Sequence, residues 1–84
     1  MSEKDLGRAI IKQALRDATI PQDIDIRVQA RLFLLGSTKS WLESLQLVCE
    51  LADLNPYTIR KKCQEWELKG WPTAKYINRF IEEK

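Results

Sequence analysis

Histidine is absent from this 84-residue chain, and cysteine, glycine and proline are scarce, with two, three and three residues. Without histidine the commonest general base is missing, and a zinc site would have only two cysteines to use. No Gly-rich phosphate-binding loop occurs, and the carboxylates do not cluster on one helical face. We therefore expect no enzymatic activity, no metal and no cofactor.

Long hydrophobic runs are also missing, since the longest, LFLLG at 32–36, is far shorter than a membrane span. The N-terminus is charged and amphipathic and lacks the apolar core of a signal peptide. Cys49 and Cys63 both lie in helical apolar patterns, which indicates small core residues in a reducing compartment and not a disulfide framework. These features predict a cytoplasmic protein without membrane contact.

The composition predicts one globular domain over 1–84, because 44% of the residues are hydrophobic and 31% are charged. The formal net charge is only +2. Residues 55–84 carry seven basic and four acidic side chains, an excess of three positive charges. This bias toward the C-terminal third is too weak by itself to indicate nucleic-acid binding.

The first helix is predicted to begin after Ser2, a favourable cap, and to end near 19–22. Its apolar face is expected to consist of Leu6, Ala9, Ile10, Gln13 and Ala14.

Residues 23–35 fit two patterns. Apolar residues alternate with mostly polar ones, which is typical of a strand, but no other segment offers that strand a partner. We therefore predict a helix capped at its C-terminus by Gly36. The side chains that it would bury are Ile24, Val28, Leu32 and Leu35.

The clearest helical periodicity follows Gly36-Ser37-Thr38 and stops before Asn55, which is predicted to cap a new helix starting at Pro56. The first of these two helices places on one stripe Trp41, Leu42, Leu45, Val48, Cys49 and Ala52. The second buries Ile59, Cys63 and Trp66 and ends at Gly70. A last amphipathic segment, 73–83, presents Ile77, Phe80 and Ile81. Five helices with short connections predict an all-α bundle.

Two helices joined by a short turn, the second with exposed basic and amide side chains, are typical of a DNA-binding hairpin. Cys49 is the small residue at the crossing, Ala52 the next packing position, Leu54 the apolar anchor of the turn and Ile59 the inward residue of the second helix. On these residues the segment Leu45 to Gln64, within a unit of about 40–69, resembles the helix-turn-helix superfamily. It departs at Asp53, where that superfamily usually has glycine, and at Lys62, where an apolar residue is common.

The resemblance implies that the second helix, about 55–69, enters the major groove of double-stranded DNA and that the protein regulates transcription. Arg60 is then the candidate for guanine and Gln64 for adenine. Lys61, Lys62 and Lys69 are candidates for phosphates. The remaining outward residues would be Asn55, Tyr57 and Thr58. The overall pattern, with its CELA-like and Trp-rich segments, also resembles small phage- or prophage-encoded proteins.

Two other interpretations stay open. A basic helix in a small bundle is often only a solvated surface, and Glu65 and Glu67 follow the basic cluster directly. Alternatively, the protein is an adaptor or inhibitor that binds a host protein without DNA, through an aromatic patch of Trp71, Tyr76 and Phe80. A homodimer is also expected, with contacts from 24–35 or 73–83.

Overall fold

The helices of this protein begin and end at local capping signals. The computed structural model describes residues 2–20, 22–73, 75–77 and 79. Helix α1 spans Glu3–Asp17 and begins at Ser2, whose hydroxyl accepts from the Asp5 backbone N–H at 3.1 Å. The predicted first cap is therefore confirmed.

Helix α2, Ile24–Leu35, occupies the segment that fitted both a strand and a helix. The Asp23 carboxylate accepts from the backbone N–H groups of Asp25 and Ile26, which satisfies two donors that the first turn leaves open. Gly36 ends the helix with φ +59°, a left-handed conformation that glycine adopts without steric cost. The predictions of a helix and of its glycine cap are both confirmed.

Helix α3 spans Lys39–Ala52, and its cap is Thr38, whose hydroxyl accepts from the Trp41 N–H. Helix α4 spans Pro56–Lys69, with Pro56 in its first turn and Asn55 as its cap. Gly70 ends α4, as predicted. Residues 75–77 and 79 are helical as well. The part of the chain that the structure describes contains no strand, so the protein is a small all-α bundle.

Helix α1 packs against α2 and α3, while α4 packs mainly against α2 and less against α3. All four helices contribute to one apolar core, which also receives Ile77 from the C-terminal helical residues. The buried members of this cluster are Ile11, Ala14, Leu15, Ala18, Leu34, Leu45, Cys49, Cys63, Trp66 and Ile77. The predicted buried stripes of α3 and α4 are thus confirmed in Leu45, Cys49, Cys63 and Trp66. Phe80 and Ile81 lie outside the described residues.

The predicted faces of α1 and α2 were wrong at most positions, although Ala14 of the predicted α1 face is buried. In α1 the buried positions are Gly7, Ile11, Ala14 and Leu15, whereas Leu6, Ala9, Ile10 and Gln13 are exposed. In α2 the fully buried side chain is Leu34, whereas Ile24 and Val28 are exposed and Leu32 and Leu35 are half-buried. Both helices carry apolar residues on more than one side, so periodicity alone does not choose between them.

Both cysteines are free thiols in the core. Burial raises the pKa of the Cys49 thiol to about 11 and that of the Cys63 thiol to about 12. They therefore remain protonated at neutral pH and pack as small apolar residues. Within the described ranges, no helix is both long and apolar enough to cross a bilayer.

Candidate nucleic-acid interface

The turn between α3 and α4 is built around Asp53. This residue has φ +57° and ψ +47°, the left-handed conformation that the resemblance assigns to a glycine at this position. Its N–H donates to the Glu50 carbonyl and the N–H of Leu54 donates to the Cys49 carbonyl. This pair of bonds is the arrangement by which a helix ends and the chain reverses in a few residues. The Lys4 ammonium lies 3.6 Å from the Asp53 carboxylate, on the exposed side of the turn.

The small and apolar residues assigned to the hairpin lie toward the core. Cys49 and Ala52 are fully buried. Leu54 and Ile59 are half-buried and pack against the core cluster. The inward side of the hairpin is therefore formed by small and apolar side chains, as the sequence predicted.

The outward side of α4 is a stripe in which residues recur every three or four positions. It consists of Tyr57, Lys61, Gln64 and Leu68, all exposed. Thr58 and Lys69 are also exposed, on the flank of this stripe. Most of the residues that we assigned to DNA contact are thus exposed on α4.

Two of the assigned residues already have partners within the protein. The Asn55 side-chain oxygen accepts from the Tyr57 N–H at 2.9 Å, which makes it the cap of α4. The Arg60 Nε donates to the Leu35 carbonyl oxygen at 3.0 Å, and the side chain is half-buried beside the end of α2. Arg60 therefore stabilises a helix terminus, a role that the sequence analysis did not assign to it.

A groove of about 710 Å³ separates α1 from α4. Its apolar lining includes Ile11, Leu15, Leu54, Ile59, Cys63 and Trp66. Four cations line it as well, two from each helix: Arg8, Lys12, Lys61 and Lys62. We call this surface the basic groove. Tyr57 and Thr58 line it too, so it joins the outward stripe of α4.

The cations of the basic groove differ in how firmly they are held. The Arg8 Nε donates to the Ala52 carbonyl oxygen at 3.1 Å, which fixes the guanidinium over the end of α3. The Lys62 ammonium lies 3.8 Å from the Glu65 carboxylate and 5.7 Å from the Trp66 ring centroid. Lys12 and Lys61 are exposed on opposite sides of the groove. Among the described residues that line it, Glu65 is the only acid, so the groove carries an excess of positive charge.

Arg8 and Lys12 were missed by the sequence analysis. They lie about fifty residues before Lys61 and Lys62 in the chain, and only the packing of α1 brings them near α4. No local pattern in the sequence links these two pairs. The signal that could have found them is their spacing of four residues, which places both cations on one side of α1.

The aromatic residues proposed for protein binding are only partly accessible. Trp71 is half-buried: its ring lies 5.7 Å from that of Trp66, its Nε1 donates to Glu67, and the Arg31 guanidinium lies 4.8 Å from its ring centroid. Burial lowers the pKa of Arg31, and the Glu67 carboxylate opposes that effect. Tyr76 is exposed and meets Trp66 edge-on at 6.4 Å, and Phe80 lies outside the described residues. Trp71 thus belongs to a packed cluster at the end of α4.

The chain matches no protein-family model, no curated protein and no solved structure. Its function must therefore be inferred from the arrangement of its own residues. Among these residues, as far as the structure describes them, no three Cys, Asp or Glu side chains come together in a way that could hold a metal ion. The chemistry available at the basic groove is the binding of an anion by ammonium and guanidinium groups beside hydroxyl and amide side chains.

Proposed function

We propose that this protein binds double-stranded DNA, with α4 in the major groove and the cations of the basic groove on phosphates. The observation that carries the proposal is that four cations, Arg8, Lys12, Lys61 and Lys62, line one groove beside the exposed stripe of α4. Phosphate contacts supply most of the affinity of such proteins, and side chains on the inserted helix supply the specificity. A regulatory role in transcription is part of the same proposal.

The exposed stripe of α4 suits contact with base edges. Gln64 can form paired hydrogen bonds with adenine. Lys61, almost one turn before it on the stripe, stays assigned to a phosphate. Tyr57, one turn before Lys61, is close enough to the start of the helix to reach the sugar-phosphate backbone. Thr58 and Lys69 are assigned to phosphates on the flank.

Arg60 has a different place in this proposal. Because its Nε is bound to the end of α2, its side chain extends along the protein surface. We assign it to holding α4 against α2, so that α4 meets DNA at a fixed angle. A change at Arg60 would thus alter both folding and binding, which makes it a poor single test of DNA contact.

The better test neutralises Lys12 and Lys61, because both are exposed, come from different helices and line the same groove. Binding of a labelled random-sequence duplex is measured by fluorescence anisotropy over a range of salt concentrations, for the wild type and for the variant Lys12→Gln, Lys61→Gln. The slope of log K against log salt is negative, and each lost phosphate contact reduces its magnitude by about 0.9. The slope of the double variant should therefore be shallower than that of the wild type by about 2.

The matched control removes the same net charge elsewhere, through Lys39→Gln and Lys75→Gln, which are exposed and do not line the groove. This control should keep the slope of the wild type. The proposal is wrong if the folded wild type fails to bind DNA at low salt. It is also wrong if the magnitude of the slope decreases equally in both variants. Failure to bind DNA would turn attention to the other hypothesis, an adaptor that binds a host protein.

A further inference from the structure

The floor of the basic groove is apolar, and DNA binding does not account for it. Ile11 and Leu15 line it from α1, and Ile59, Cys63 and Trp66 line it from α4. A phosphate binds to cations and gains nothing from aliphatic or indole surface, whereas a hydrocarbon group gains free energy by covering it. The floor therefore suits a hydrocarbon group, and the rim suits an anion.

The groove exists because α1 and α4 do not pack against each other. Each of them packs on α2 and α3, and the described residues show no close approach between their backbones. The volume of about 710 Å³ lies within the range of about 300–1,000 Å³ that is typical of sites for small molecules. A slender ligand can thus enter between the two helices without displacing either.

Charge is distributed unevenly along the groove. Arg8 is held at the end of α3 by its bond to the Ala52 carbonyl oxygen, and Thr58 lines the groove in the first turn of α4. The start of α4 adds the partial positive charge of a helix N-terminus. Glu65, the acid among the described lining residues, lies two turns further along α4, beside Trp66. The end near Arg8 and Thr58 is therefore the more favourable one for an anion.

Two cations at the rim are available to such an anion. Lys12 and Lys61 are exposed on opposite sides of the groove, and no described carboxylate pairs with either of them. Their long side chains allow the ammonium groups to turn toward a bound ligand.

The length of the groove sets the length of the ligand. On the α4 side the lining residues run from Asn55 to Trp66, eleven residue steps, which is about 16 Å at about 1.5 Å per residue. An extended chain advances by about 1.2 Å per bond, so about 13 bonds cover this distance. The floor is therefore long enough for a chain of about 14 carbon atoms.

We infer that the basic groove binds a single-chain amphiphilic carboxylate, such as dodecanoate, with its chain along the apolar floor. The carboxylate lies at the end near Arg8 and Thr58, within reach of Lys12, and the chain runs toward Trp66. This arrangement places the negative head group beside the cations and leaves Glu65 next to hydrocarbon. The chain covers the apolar surface that phosphates leave in water.

Isothermal titration calorimetry without DNA tests the place of the chain. Straight-chain carboxylates of 8, 10, 12, 14 and 16 carbon atoms are titrated below the concentrations at which they form micelles. Each added methylene group should tighten binding about fourfold, because it buries more hydrocarbon, until the chain fills the groove at about 14 carbon atoms. No binding of dodecanoate by the folded protein would overturn the inference. A gain that continues unchanged from 14 to 16 carbon atoms would overturn the place of the chain in the groove.

The same titration tests the head group. Dodecyltrimethylammonium has the same chain with the opposite charge and should bind at least about tenfold more weakly than dodecanoate. The variant Lys12→Glu should weaken dodecanoate about fivefold or more, and the matched control Lys39→Glu, which is exposed and does not line the groove, should not. Circular dichroism checks that both variants keep their helices. Equal binding of the two amphiphiles, or equal loss in the two variants, would overturn the role of the cations.

A consequence for DNA rests on the proposed function. Lys12 and Lys61 would serve both ligands, so dodecanoate should raise the apparent dissociation constant of the labelled duplex. The calorimetric titrations contain no DNA, so the two proposals fail separately. A protein that binds dodecanoate but no duplex supports this inference and refutes only the proposed function, and a protein that binds the duplex but no dodecanoate does the reverse.

Discussion

Gly7 of α1 lies against the backbone of Ala52 at the end of α3. A Cβ added at Gly7 would be 2.6 Å from the Ala52 nitrogen and 2.9 Å from its Cα, closer than real contacts allow. The approach is fixed by Arg8, the next residue, whose Nε donates to the Ala52 carbonyl oxygen. This contact joins the start of α1 to the turn of the proposed DNA-binding hairpin.

The first prediction concerns this contact. Gly7→Ala should destabilise the protein, although alanine favours a helix over glycine by about 1 kcal/mol. The obstructing atoms are mostly backbone and cannot rotate away, so α1 and α3 must separate, at a cost of about 1–3 kcal/mol beyond the gain in propensity. Urea unfolding measures the difference. Ala9→Gly, at an exposed position of the same helix, gives the propensity term alone. A Gly7→Ala protein more stable than the wild type would show that the two helices are not in close contact.

The second prediction concerns the turn. Asp53→Gly should stabilise the protein by about 0.5–1 kcal/mol, because glycine adopts the left-handed conformation without the crowding that a Cβ causes. The greater freedom of glycine in the unfolded chain and the loss of the exposed Lys4 ion pair reduce this gain. Thermal unfolding followed by circular dichroism measures the change.

Asp53→Ala is the control for the turn, since alanine has neither the freedom of glycine nor a polar side chain that tolerates this conformation. It should lower the melting temperature relative to the wild type. If glycine and alanine have the same effect at this position, the left-handed conformation does not limit stability.

The third prediction is a dependence on alkaline pH. Because burial raises the pKa of Cys49 and Cys63 to about 11 and about 12, the folded protein keeps protons that an unfolded thiol releases above about pH 8.5. The contribution of the protonated thiols to the free energy of unfolding is complete below that pH and is lost as the pH rises toward about 11 for Cys49 and about 12 for Cys63. The loss is at most about 1.4 kcal/mol per pH unit for each thiol.

Urea unfolding at about pH 7 and about pH 10 tests this dependence. The variant Cys49→Ala, Cys63→Ala should be less stable at neutral pH, because it removes buried sulfur atoms, but should lose less stability between the two pH values. Equal losses in both proteins would show that the thiols are not the cause of the alkaline effect.

The helix boundaries were predictable because they depend on residues next to one another in the chain. Ser2, Asn55 and Gly36 end or begin helices through hydrogen bonds and backbone conformations that involve only a few neighbours. The buried stripes of α3 and α4 were predictable too, because Leu45 and Cys49 in α3, and Cys63 and Trp66 in α4, recur at intervals of three or four residues.

The candidate site was only half predictable. The exposed residues of α4 follow from its periodicity once its inward side is known. Arg8 and Lys12 could not be linked to them, because their proximity depends on how α1 packs across the bundle. The role of Arg60 at the end of α2 was hidden for the same reason: its acceptor, Leu35, lies twenty-five residues away in the chain.

The sequence by itself determined where the helices lie, because capping and helical spacing are local. Only the tertiary structure decided how α1 and α2 are turned about their axes. Leu6 and Ile10 have the same helical spacing as Ile11 and Leu15, and the close approach of Gly7 to Ala52 selects the second pair for the core. In α2, the burial of Leu34 leaves Ile24 and Val28 in solvent. A helix presents several sides, and its neighbours decide which one is buried.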